Sequence, residues 1–329
     1  MQPRQSHYDV TNTVMICDPR AVAREVCRLL RRAYPKVDLA PVRKAFETFT
    51  HIYAGTLPGY HGCDTWYHDA QHSLDCTLAL ARLIDGHERA AGRNRLGHRR
   101  ARLGVICALF HDVGYIRRVD ETQFRNGAEL TLCHVTRSGE FLAAFLPTVG
   151  FRAEAQLARR LVHYTGYEMP LDAIRVTDRK DRQLGFLLGT ADLMAQMADR
   201  NYPEKCRDFL YHEFVACGLA GEAQPGKAKP VYSSPDDLLR KTPEFARKIF
   251  RERLDGYFQG AYRYIEDHFG GANPYLAEIR RHIDFINQAI GQGSLALLRR
   301  QPQSINAQAL RQITGIQRAR VVAAGPVPA

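Results

Sequence analysis

Apolar residues recur at spacings of three and four along most of the 329-residue chain and nowhere alternate over a strand-length run, so the pattern predicts an all-α protein. Asp18-Pro19 reads as a cap and first-turn proline ahead of a helix over 21–33, whose Val22, Val26, Leu29 and Leu30 share a side. A second helix runs from Pro41 to about Tyr53 through Val42, Phe46 and Phe49, and glycines with Pro58 make 55–62 a loop. Helical patterns then cover Trp66 to a stop at Gly86, followed by 101–110, 127–146, 152–165, 184–198, 203–219, 236–269 and 274–298. Between them, 116–126 is a polar loop, and 221–235 is the longest loop, either a lid or a tolerated insertion. Residues 1–20 read as a loose arm, 21–300 as one large helical domain and 301–329 as a weakly ordered tail.

Composition changes this picture little. With 45% hydrophobic and 25% charged residues, the chain can bury a substantial core without metal or disulfide staples. The formal charge of +11 favours anionic partners in general, among them phosphorylated small molecules, nucleic acid and membrane surfaces. Its densest basic run, Arg93 to Arg102, reads as an anion patch or as a solvated loop and helix start. Nucleic acid is a weak partner, since neither a reading helix nor an aromatic platform accompanies the charge. The eight cysteines form no CxxC pair and read as reduced core residues, poorly placed to bind metal. No window approaches 18 uninterrupted apolar residues and no signal core opens the chain, so the expectation is a cytoplasmic protein without a membrane partner.

Candidate chemistry sits where polar groups interrupt the helical pattern. The apolar run ending Ala108-Leu109-Phe110 passes directly into His111-Asp112 and then Gly114. Neighbours on a helix point about 100° apart, but both can converge on one ion at a fraying helix end. His68 and His72, four apart on the helix that opens at Trp66, share a face, which suits either a solvent-facing pair or a metal or acid-base site. Asp192 lies in the apolar stretch from Phe186 to Met197, where an ionised carboxylate is costly unless an arginine or a metal compensates it. Glu129, His134 and His163 fall on two further helices, and Arg117, Arg118 and Arg125 stand in the loop beside the His-Asp pair, solvated or facing an anionic substrate.

In order, His72, His111-Asp112 and Asp192 resemble the signature of the HD-domain metal-dependent phosphohydrolase superfamily, over residues 60–200. Tyr67-His68-Asp69-Ala70-Gln71-His72-Ser73-Leu74-Asp75 is similar to the helix start of class I cyclic-nucleotide phosphodiesterases, Tyr-His-Asn-x-x-His-Ala-x-Asp, with Asp69 in place of asparagine. Ala191-Asp192-Leu193 matches their later Ala-Asp-Leu. His134 and His163 resemble the extra ligands of HD proteins with a fuller two-metal site.

The resemblance implies a helical HD-domain bundle with additional N- and C-terminal helices, and an enzyme that hydrolyses a nucleotide-like phosphoester. It implies two divalent ions, drawn from Fe, Mn, Zn or Mg. Asp112 would bridge them, His72, His111 and Asp192 would complete one site, and His134 and His163 would serve the other. His68 would donate a proton to the leaving oxygen, with Glu129 and Asp75 orienting histidines or holding a proton. Two alternatives stay open, a di-iron oxygenase on the same ligands and a non-catalytic nucleotide-binding module.

Overall fold

The computed structural model describes residues 4–223 and 229–317. The chain is all-α, and among the described residues β-structure is confined to isolated bridges such as Tyr8 with Met15. The helices are α1 Pro19–Ala33, α2 Ala40–Tyr53, α3 Ala70–Ala90, α4 His98–Leu109, α5 His134–Phe145, α6 Ala155–Leu161 and α7 Arg179–Ala198. They continue as α8 Tyr202–Lys205, α9 Tyr211–Ala216, α10 Pro235–Ile249, α11 Tyr264–Phe269, α12 Pro274–Gly291 and α13 Ala307–Thr314.

Helix α3 is the axis of the molecule. Every residue from Ala70 to Glu88 is buried, and α1, α4, α7 and α11 pack around it. A helix enclosed on all sides has no solvent face, so its polar residues must find partners inside. Ser73 meets the Tyr53 hydroxyl at 3.1 Å, Arg82 reaches Asp9 at 2.5 Å, and Asp85 pairs with Arg32 and His268. Gly86 does not stop the helix as its residue type suggested. A Cβ there would lie 1.7 Å from the Tyr264 carbonyl oxygen, so the glycine serves to let the backbone of α11 rest on α3, which runs on to Ala90.

Other boundaries moved for local reasons. Asp178 accepts from the amides of Lys180 and Asp181, which starts α7 at Arg179. The helix expected over 127–146 is broken: Gly127–Leu130 is a single 3-10 turn and α5 begins only at His134. The helix expected over 152–165 keeps only α6 as α-helix, with 3-10 turns on either side. The 236–269 segment divides into α10, a π-helical stretch Phe250–Tyr257 and α11, separated at Gly260, which takes a left-handed φ of 70°.

The two ends of the chain depart most from expectation. The arm is not loose: Asp9 and Ile16 are buried, and Asp9 caps its own turn by accepting from the amides of Thr11, Thr13 and Val14. The tail is docked through Thr314, with Ile305 and Leu310 buried and α13 packed near α2. Residues 318–329 and 224–228, the latter inside the expected long loop, lie outside the described residues. The arginine run is neither a free patch nor simply solvated, because Arg95 pairs with Glu88, Arg99 with Glu154 and Arg100 with Asp181, while Arg102 donates to the Asp38 carbonyl at 2.8 Å. All eight cysteines are free; six are buried, Cys133 is exposed and Cys217 is intermediate. No described helix is long and apolar enough to cross a membrane.

Candidate metal centre

The site forms where α3, the end of α4, α5 and α7 meet. Asp69 caps α3 by accepting from the His72 amide at 3.0 Å, so His72 stands in the first turn and His68 lies ahead of the helix. The two histidines therefore do not share a helix face, although both reach the same cavity. Helix α4 ends at Leu109, and His111 and Asp112 follow in a turn. That break from helical geometry is what allows adjacent side chains to converge. Gly114 completes it, since a Cβ there would lie 1.9 Å from the His134 carbonyl oxygen. The Gly114 amide instead donates to Ser138 Oγ at 2.8 Å, which clamps the His-Asp turn onto α5.

Three imidazoles and two carboxylates come together there. His72 Nε2 is 3.3 Å from Asp112 Oδ2 and 3.2 Å from Asp192 Oδ1; His111 Nε2 is 3.2 and 3.5 Å from the same two atoms. On the other side, His134 Nε2 lies 3.5 Å from Asp112 Oδ1. Two ligands each about 2.1 Å from one ion stand about 3.0 to 3.4 Å apart at ordinary coordination angles, which matches these gaps. Nδ1 of His111 bonds the Ala108 carbonyl at 2.8 Å and Nδ1 of His134 bonds the Thr131 carbonyl at 2.7 Å. Each ring is thereby oriented with Nε2 toward the centre, the arrangement a metal-binding histidine needs.

The electrostatics favour a cation. Asp112 Oδ2 is buried without a hydrogen-bond partner, and no Lys or Arg is among the described residues lining the cavity. Burial opposes charge on both carboxylates, yet His111 and His72 hold Asp112 and Asp192 well below the usual carboxylate range. Burial alone would lower His72, but Asp112 and Asp192 push it up to about 9, and they raise His111 well above its ordinary value. Burial lowers His134, which keeps it neutral and fit to coordinate. The cluster neutralises its carboxylates only with borrowed protons, and a divalent ion can replace them. His72, His111 and Asp112 can hold a metal ion, and so can Cys76, His111 and Asp192. Cys76, one turn beyond His72 on α3, is thus better placed than its lack of a motif suggested, although burial holds its thiol protonated.

Several of the expected residues stand elsewhere or differently. His163 lies outside the cavity lining, in the 3-10 turn after α6, and its buried Nδ1 has no hydrogen-bond partner. Glu129 also faces away, with Oε2 accepting from the Arg125 amide at 3.3 Å, because its 3-10 turn directs it back along the loop. Arg117 is engaged by Asp64 at 2.8 Å and none of the three loop arginines lines the cavity. Two acidic residues that spacing could not single out take their place. Glu168 lines the cavity and caps α5 through the amides of Val135 and Thr136, at 2.6 and 2.9 Å. Glu213 on α9 is buried, accepts from the amides of Trp66 and Tyr67 at 2.7 Å each, and lies 2.6 Å from His68 Nδ1. Asp75 is buried with both carboxylate oxygens unpartnered, and burial pushes it up to about 7.

The cluster forms the floor of a cavity of about 460 Å³. His68 and His134 each stack on Tyr115, with ring centroids 4.5 and 4.3 Å from it and 6.1 Å from one another, so the three rings form a compact aromatic cluster at the floor. Fold and site together define an all-α protein with a buried histidine-aspartate centre open to a ligand-sized cavity. The chain belongs to the Npun_R2479-like family, whose model matches residues 24–288 and so covers the whole centre. Among curated proteins, none matches the chain.

Proposed function

We propose that the protein is an HD-type, metal-dependent phosphoester hydrolase that holds two divalent ions and acts on a phosphorylated small molecule. The observation that carries this reading is the division of Asp112: Oδ2 faces His72 and His111, with Asp192 beside them, whereas Oδ1 faces His134. With His72, His111 and Asp192 on one side and His134 on the other, Asp112 would be the residue shared by two ions. The ions, when bound, supply Lewis acidity toward the attacking water and the phosphoryl group.

The remaining steps belong to the chain. Glu213 fixes His68 through Nδ1, so an imidazolium there presents Nε2–H toward the cavity and can protonate a leaving oxygen. Tyr115 is buried and stacks against both His68 and His134, so one ring supports the proton donor and a metal-facing histidine together. Glu168 orients the first turn of α5, and with it His134.

Metal analysis of the purified protein should find a bound or activating divalent ion, with phosphate released from a simple phosphoester. His111→Ala should lose both metal and turnover. His68→Ala should retain metal and lose about 10²- to 10⁴-fold in kcat, the scale of a general acid. Glu213→Gln should also retain metal and lose about 10- to 100-fold, the scale of an orienting partner. Wild-type protein that neither binds nor responds to any divalent ion overturns the reading.

A further inference from the structure

The cavity above the metal floor has a chemistry that the floor does not explain. Although the chain carries a net charge of +11, none of its lysines or arginines is among the described residues lining this cavity. Arg253 is buried behind the lining residues Gly166 and Tyr167: it donates to the Gly166 carbonyl at 2.6 Å, lies 3.8 Å from the centroid of the Tyr167 ring, and keeps Nη1 without a hydrogen-bond partner, but it is not itself part of the described lining. The walls supplied by the chain after Tyr202 are built mainly from Leu210, Phe214, Leu219, Val231, Leu238 and Phe245. This apolar character extends to the mouth, where Leu132, Tyr167 and Val231 are 62%, 62% and 53% exposed. Solvent-exposed apolar side chains gathered at one cavity mouth mark a surface that meets an apolar ligand.

Resting on the hydrolase reading, we infer that the substrate is an amphiphile: a single phosphoester head carried on a hydrocarbon group. The metal floor takes the head, which is the only part needing charge neutralised. The leucine and phenylalanine walls take the tail, which gains by leaving water. A polyphosphate would place further negative charge against walls whose described residues include no Lys or Arg to meet it. Polar side chains also line the cavity, Thr131, Thr165, Gln196 and Thr242 among them, so nucleotides are the competing substrates that the test includes. The reaction balances as an ordinary hydrolysis: water attacks phosphorus, the P–O bond to the organic group breaks, and the leaving oxygen takes a proton from His68.

The test uses the metal-loaded full chain with methyl, butyl, octyl and decyl phosphate below their micellar concentrations, and with adenosine monophosphate and cyclic adenosine monophosphate. Binding of the corresponding alkylphosphonates, which are not hydrolysed, is measured in parallel by thermal shift. Each buried methylene is worth about a three- to fourfold gain, so kcat/KM should rise at least tenfold from butyl to octyl phosphate and exceed that of both nucleotides. Leu132→Asp, at an exposed position, should lower the octyl value by a larger factor than the methyl value, so that the octyl-to-methyl ratio falls. Equal rates across the alkyl series, or a preference for either nucleotide, overturns the amphiphile and leaves the hydrolase standing. Tighter binding of longer phosphonates with no ester turned over keeps the amphiphilic ligand and removes the hydrolase. Neither turnover nor chain-length-dependent binding overturns both.

Discussion

Asp112 and its neighbours show how a buried cluster ties protonation to stability. In the ion-free protein His72 is held up to about 9, against an ordinary value of 6.5, because Asp112 and Asp192 outweigh the burial that would lower it. A raised histidine contributes stability that is complete below its unfolded value and is lost as pH rises through its folded value. Metal-stripped protein should therefore melt at progressively lower temperature between about pH 7 and 9.5, whereas metal-loaded protein, with neutral ligands already bound to an ion, should not. Scanning calorimetry with and without chelator reads both arms, and an unchanged melting temperature in the stripped protein across that window would exclude the assignment. In the same way, ions compete with protons for these groups, so metal affinity should fall as the solution is acidified.

Among the elements, the contact between the His-Asp turn and α5 decides whether a second set of ligands exists. Gly114 allows the α5 backbone to approach, Ser138 accepts from its amide, and Arg137 donates to its carbonyl at 2.8 Å. Gly114→Ala places a methyl group where the His134 carbonyl stands and must push α5 away. The expected cost is about 1 to 3 kcal/mol, as for other overpacked sites, measured as a lower denaturation midpoint. Metal stoichiometry should drop at the same time, since His134 moves while His72, His111 and Asp192 stay on other elements. A variant with reduced stability and unchanged stoichiometry would separate His134 from the centre. The approach of α11 to α3 at Gly86 follows the same physics, but far from the cavity, and it bears on packing alone.

At the scale of the molecule, both chain ends brace the helix that carries His72. The Ile305 amide donates to Asp69 Oδ2 at 2.6 Å, so the residue that caps α3 also anchors the C-terminal segment. Near the middle of α3, buried Arg82 is neutralised by Asp9 of the N-terminal segment and donates to the Tyr275 hydroxyl at 2.9 Å. Burial opposes the charge on Asp9, but Arg82 and the hydrogen bonds around it bring the carboxyl down to about 2. Its stabilising contribution is present above the ordinary carboxylate value and is lost as pH falls toward 2. Asp9→Ala strands a buried guanidinium and should cost about 3 to 5 kcal/mol in urea unfolding, a loss outside the range of a surface pair. A change under 1 kcal/mol would mean that the N-terminal segment contributes little to the core.

Much of this was legible before any tertiary contact was known. Helical periodicity set the fold class, because a spacing of three to four is a local property of each apolar run. His72, His111, Asp112 and Asp192 stood out since charged or ligand-type groups interrupt otherwise buried faces, and burial forces such groups to find partners. His134 could be placed among the candidates but not aimed, as its direction depends on where α5 begins. His163 and Glu129 were misplaced for a related reason: 3-10 turns redirected their side chains. Glu168 and Glu213 carry no spacing signal at all, being acidic residues in ordinary polar surroundings until folding brings them to α5 and His68. The apolar walls were visible as helix faces, but a face that packs on a neighbour and a face that lines a cavity read alike in one dimension. Which residues are costly to bury is a matter of residue chemistry, and the chain carries that in its order; which groups meet to offset the cost is a matter of distance, and only the packed helices decide it.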